Sequence, residues 1–142
     1  MLRKRVLDIL SRMSKNMTHS NAFTIAHDHK HWLKTLEICK MNINESEQKL
    51  TSFSKKSEEK AFMKALEHHQ NQLIIQKNNI DELVHKIHLH LDRYHNLWAN
   101  QKQSEISILE KEHHTLLDAC NDLEKLINDR CRECRDFIEA NE

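Results

Sequence analysis

Neither glycine nor proline occurs anywhere in the 142 residues, although an average chain carries roughly 7% and 5% of them. Phosphate-cradling loops, the tight dinucleotide turn and the strained nucleophile elbow all need glycine's backbone freedom, so the commonest nucleotide and hydrolase scaffolds are excluded. Hairpin turns lose their preferred residue as well. No stretch sustains strict apolar–polar alternation, and what remains is the helix, which requires neither residue. The expected class is all-α.

Apolar residues recur three and four apart in three successive runs, each a heptad seam. The first passes through Ala22, Ile25, His29, Trp32, Leu36, Cys39, Ile43, Ser46, Leu50 and Phe53. Its phase then lands on Ser57, Lys60, Lys64 and Glu67, which places a turn in the 54–60 region. A second seam starts at Phe62 and continues through Leu66, His69, Leu73, Gln76, Ile80, Leu83, Ile87, His90 or Leu91, and Tyr94 to Leu97 or Trp98. Ser57, followed by Glu58 and Glu59, reads as its cap. The third seam links Ile106, Leu109, His113, Leu116, Cys120, Leu123, Ile127, Arg130, Cys134 and Phe137, with Ser107 and Glu110 spaced as a capping box.

Short links between helices of about 50 to 60 Å imply antiparallel neighbours, hence an up-down-up three-helix bundle over residues 20–142. One continuous rod is the competing arrangement, and the two phase breaks argue against it. Residues 1–19 read as a basic amphipathic arm or short extra helix: five of the first 16 are basic against one Asp. The arm fits docking on the bundle, an anionic membrane surface or a targeting role. Met13 and Met17 offer alternative starts, and with Met17 as the start residues 1–16 are not part of the native protein.

Laying the seams antiparallel predicts dry central layers, Leu36/Ile80/Leu123 and Trp32/Leu83/Cys120. Polar seam residues gather toward both ends. One end holds the layers His29/Ile87/Leu116 and Ile25/His90/His113, with Tyr94 and Glu110 a turn away. Three imidazoles converging inside a bundle, His29, His90 and His113, are a candidate site for a zinc-like or iron-like ion. The plainer alternative is a set of hydrogen-bonded core histidines that fixes register. The other end holds Cys39/Gln76/Ile127 and Ser46/His69/Cys134, which makes Cys131, Cys134 and His69 a second candidate set. Buried free cysteine is itself an ordinary core residue.

Glu82 with His85, Asp92 with His95, and Glu110 with His113 have the carboxylate-x-x-His spacing of di-iron bundles. Glu82 and His85 fall opposite the seam, where such pairs are solvated. His27 and His31, four apart, can retain added metal adventitiously. Ile75 and Leu89 share the outer stripe with Glu82, which invites a fourth helix: the N-terminal arm or another copy of the chain.

Lys and Arg balance Asp and Glu at 22 each, and aromatics make up 5%, so neither a basic groove nor stacking platforms for nucleic acid are indicated. No apolar run approaches the ~20 residues of a membrane span. Four cysteines without a tight small-domain framework fit the reducing cytoplasm. No nucleophile, base and oxyanion donor assemble from named positions, so an enzyme is not expected. Histidines buried neutral at 29, 69, 90 and 113 predict a bundle that loosens below about pH 6.

The segments His31-Trp32-Leu33 with Leu36, Glu67-His68 before Gln70-Asn71-Gln72, Ile75-Gln76, and Ile80-Asp81-Glu82-Leu83 with His85 together resemble a family of uncharacterised small helical proteins of Bacteroidetes-type bacteria. A His-x-x-Leu at His113 or His114 is similar too. The resemblance covers most of the chain after residue 20 and implies a bacterial, soluble, helical protein. It carries over no activity and no functional residue. The expected role is that of a structural or protein-interaction bundle, with a protein partner or a homodimer as the assembly, and metal binding by seam histidines as the alternative.

Overall fold

The computed structural model describes residues 19–99 and 105–142. The arm expected over residues 1–19 lies outside the described residues as far as residue 18. Three helices follow in order: α1 (His19–Phe53), α2 (Lys60–Ala99) and α3 (Ile106–Ala140). No strand occurs among the described residues. The all-α, up-down-up bundle is therefore present.

Contacts divide the chain into two compact units, each built from a segment of all three helices. One comprises residues to Lys34 together with Val84–Ala119; the other comprises Thr35–Leu83 with Cys120–Glu142. Within the first, the beginning of α1, the end of α2 and the beginning of α3 pack together, as antiparallel neighbours must. Its core is Ile25, Trp32, Ile87, Leu91, Tyr94, Leu109 and Leu116, with His29 and His90 buried among them. The second unit encloses Leu36, Ile43, Leu50, Leu66, Leu73, Ile80 and Ile127, all at most 2% exposed. Each such side chain contributes about 1.5–3 kcal/mol relative to leaving it in water. Among the described residues, no helix is long and apolar enough to cross a membrane.

The turn between α1 and α2 shows how the chain reverses without glycine. The last carbonyls of a helix need donors. Here the Ser54 amide and hydroxyl both donate to the Thr51 carbonyl, and the Lys56 amide donates to that of Phe53. The Lys56 ammonium sits 5.6 Å from the Phe53 ring centroid, near the negative end of α1. Ser57 is not the cap of α2. Its hydroxyl accepts from the Glu59 amide at 3.0 Å, a local turn, while the Glu59 carbonyl accepts the first helical bond from Met63. The capping box at Ser107 is not formed either, because α3 already begins at Ile106.

Candidate functional site

His29 and His90 belong to seams that face inward, which leaves them 0% and 2% exposed. His113 on α3 completes the group at 12% side-chain exposure. One ring nitrogen from each of the three lies within 4.8 Å of one from each of the others. The ring centroids are 5.1 Å apart for His29 and His90, 5.3 Å for His29 and His113, and 5.7 Å for His90 and His113. The expected layers set His29 against Ile87, one turn from His90. In the structure His29 reaches across to His90 and hydrogen-bonds to it, while Phe53 and Phe62 meet at the other end of the two helices as the expected register has them.

The partners determine which nitrogens carry hydrogen. His90 Nε2 lies 2.9 Å from the Leu109 carbonyl oxygen, which can only accept, so Nε2 is the N–H. Neutral His90 then accepts at Nδ1, where His29 Nε2–H donates across 3.0 Å. His113 Nε2–H donates to Asp28 Oδ2 at 2.9 Å. Three atoms are left buried without a partner: His29 Nδ1, His113 Nδ1 and the Tyr94 hydroxyl, whose ring packs 4.9 Å from that of His90. Burial, then repulsion from His90, His113 and His88, lowers the His29 pKa to about 3 from 6.5. His90 moves the same way through burial, partly opposed by its bond to Leu109. Burial, reinforced by Glu110 and Glu112, raises Tyr94 to about 12, so the phenol stays protonated.

Asp28 and the Leu109 carbonyl were not among the residues expected to matter. Asp28 precedes a seam residue and turns toward α3, a position beside the seam that the heptad pattern treats as polar surface. A backbone carbonyl leaves no trace in sequence. Trp32 closes the cluster on another side, 4.7 Å from the ring of His113 and 5.1 Å from that of His29.

Cys131, Cys134 and His69 do not form a converging set of three donors; among the described residues only the histidine trio does. His69 packs instead against Phe137, 4.9 Å between centroids, beside a Phe53, Phe62 and Phe137 cluster. Cys134 is buried and its thiol is pushed up to about 11, first by burial and then by Cys131 and Glu133. A thiol so held stays protonated and packs as a core residue. Glu82 and His85 are exposed, as expected of their position opposite the seam.

A surface feature lies in the same unit. Between α2 and α3 runs a groove of about 430 Å³, flanked by Leu89 and Ile108, floored by His90 and Leu116, and rimmed by Lys86, Arg93 and Lys111. Leu89 is 41% and Ile108 60% exposed. Arg93 is paired with Glu112 across the groove. A larger open depression, about 590 Å³, lies beside Glu45, Lys49, Phe53 and Ile138 and holds no cluster of reactive groups. Compared with family models, with curated proteins and with solved structures, the chain matches none.

Proposed function

We propose that this chain is a protein-interaction bundle that receives an apolar helix face in the groove between α2 and α3. The observation that carries the reading is the pair Leu89 and Ile108, both large, apolar and exposed on either side of a groove whose floor is already desolvated. Covering both side chains is worth about 1.5–3 kcal/mol each, enough to anchor a transient interface. Lys86 and Lys111 on the rim favour a partner face bearing carboxylates. A second copy is the first occupant to test, since a chain with 22 charges of each sign meets no net repulsion from itself. All four cysteines are free, which supports the cytoplasm as the compartment of this activity.

Sedimentation of the full chain at micromolar concentration, beside a Leu89→Glu, Ile108→Glu double variant, tests self-docking. A wild-type dimer that the variant converts to monomer is the expected result. A photoreactive residue at Thr115, on the groove wall, extends the test to other partners in cell extract. A monomeric wild type that also yields no cross-link dependent on Ile108 would refute the proposal.

A further inference from the structure

The histidine cluster has properties that a docking bundle does not require. A set of core histidines that merely fixed register would be complete once its hydrogen bonds were made. This set is incomplete: after every available bond is drawn, His29 Nδ1 and His113 Nδ1 are both buried and both without a partner.

Two of the three rings also carry the supports that metal-binding histidines carry. A ligating imidazole almost always gives its other N–H to a carboxylate or a backbone carbonyl, which fixes the tautomer and turns the lone pair toward the ion. His113 gives Nε2–H to the Asp28 carboxylate, and His90 gives Nε2–H to the Leu109 carbonyl. Nε2 is thereby engaged in both rings, which leaves Nδ1 of each to face an ion; that of His90 now accepts from His29. His29 needs one adjustment. Its hydrogen, now on Nε2 toward His90, moves to Nδ1, or the ring turns over; either way the ring stays neutral and presents a lone pair where it now presents N–H.

We propose that His29, His90 and His113 bind one divalent ion of the zinc class, with His90 and His113 coordinating through Nδ1 and Asp28 and the Leu109 carbonyl as their outer supports. In a tetrahedral site with metal–nitrogen bonds of about 2.0–2.1 Å, the donors stand roughly 3.3 Å apart. One nitrogen of each ring already falls within 4.8 Å of one nitrogen of each of the others, so closure asks for the rings to draw together by about 1.5 Å. Three imidazoles without a carboxylate donor suit zinc, and copper(II) more tightly by intrinsic order, better than the two-histidine, one-carboxylate set that iron(II) prefers. The fourth position is left to water or a small ligand.

The test uses the untagged full chain stripped with chelator, titrated with cobalt(II) and then zinc(II). One cobalt per chain with visible d–d absorption, displaced stoichiometrically by zinc, is expected. Asp28→Asn keeps the three donors and removes a support, and zinc affinity should fall about 10- to 100-fold. His113→Asn should abolish stoichiometric uptake. A His27→Asn, His31→Asn double variant, which removes the exposed pair four apart on α1, should bind as the wild type does. No stoichiometric uptake by the wild type overturns the proposal. So does uptake that the His27 and His31 changes abolish, or uptake unchanged in both the His113 and Asp28 variants. Where circular dichroism shows that His113→Asn has not folded, Asp28→Asn alone decides, and unchanged affinity there overturns it.

Discussion

Acid should destabilise the metal-free protein by an amount that His29 sets. Its imidazole titrates near 3 in the folded chain and at 6.5 once exposed. As pH falls below 6.5 the unfolded chain therefore takes up a proton that the folded chain refuses. Stability is fully present above 6.5 and drains away as pH drops toward the folded value. From pH 7.5 to 5.5 the unfolded chain gains about 1.4 kcal/mol from this one group, the change in its protonation free energy over that interval. A folded value near 3 lies so far below the window that it scarcely enters the result. For a chain of this length that corresponds to a melting temperature lower by about 4–6 °C. His90 and His69, both lowered first of all by burial, act in the same direction.

The groups facing His29 are His90 and His88 from α2 and His113 from α3, while the nearest carboxylate, Asp28, is engaged by His113. None supplies a counter-charge that would let His29 protonate inside. The assay is thermal unfolding followed by circular dichroism, with chelator present, at pH 7.5 and 5.5, for wild type, His29→Leu and the exposed control His85→Leu. His29→Leu removes the bond to His90 and adds apolar contact, so its absolute stability shifts; the offset cancels in the difference between the two pH values. That difference should shrink by about 1.4 kcal/mol in His29→Leu and hold its wild-type size in His85→Leu. A wild-type melting temperature that stays flat or rises on acidification, or an unchanged difference in His29→Leu, would refute the reasoning.

Two further outcomes follow from burial. At pH 8, one cysteine, the half-buried Cys131, should react promptly with a thiol reagent in the folded chain, because Cys39, Cys120 and Cys134 are buried and burial raises all three thiols, Cys120 to about 12; denaturant should expose all four, and prompt native reaction of more than one would contradict the packing. Leu73→Ala should cost about 2–5 kcal/mol in chemical denaturation and its neighbour Ile74→Ala no more than about 0.5 kcal/mol, since Leu73 is 0% and Ile74 50% exposed; equal losses would mean that α2 is rotated about its axis.

The heptad spacing was enough to name the faces that pack. Every first-seam position from Ile25 to Leu50 is buried, because a stripe repeating at 3.5 residues has only one way to leave water. Register was less legible. Counting sets His29 against Ile87 and does not foresee its hydrogen bond to His90, because sequence gives residue types without atom directions. The same limit explains the second candidate set. Cys131, Cys134 and His69 sit at suitable spacings, yet an aromatic side chain, Phe137, occupies the place beside His69 that a ligand cluster would need.

Buried polarity in this bundle is of two kinds, and the difference bears on what the histidines are for. Gln76, 3% exposed, receives a hydrogen bond from Asn79 on its own helix at 3.1 Å, a local arrangement that serves position without asking anything of another helix. Glu47 and Arg130 each have a buried atom lacking a hydrogen bond, but Glu47 Oε1 lies 3.3 Å from the Lys77 ammonium and Arg130 pairs with Glu133 through another nitrogen. The remaining unpartnered atoms, on His29, Tyr94 and His113, fall in one cluster. Leucine at position 29 would give a drier core with one lone pair fewer, and the seam around it shows that the chain uses leucine and isoleucine freely. This departure from the rule, gathered at one place with two of the rings oriented from behind, is what the proposed ion site is argued from. The His29–His90 bond ties α1 to α2 and the His113–Asp28 bond ties α3 to α1; the proposed ion site rests on the nitrogens that these two bonds leave without a partner.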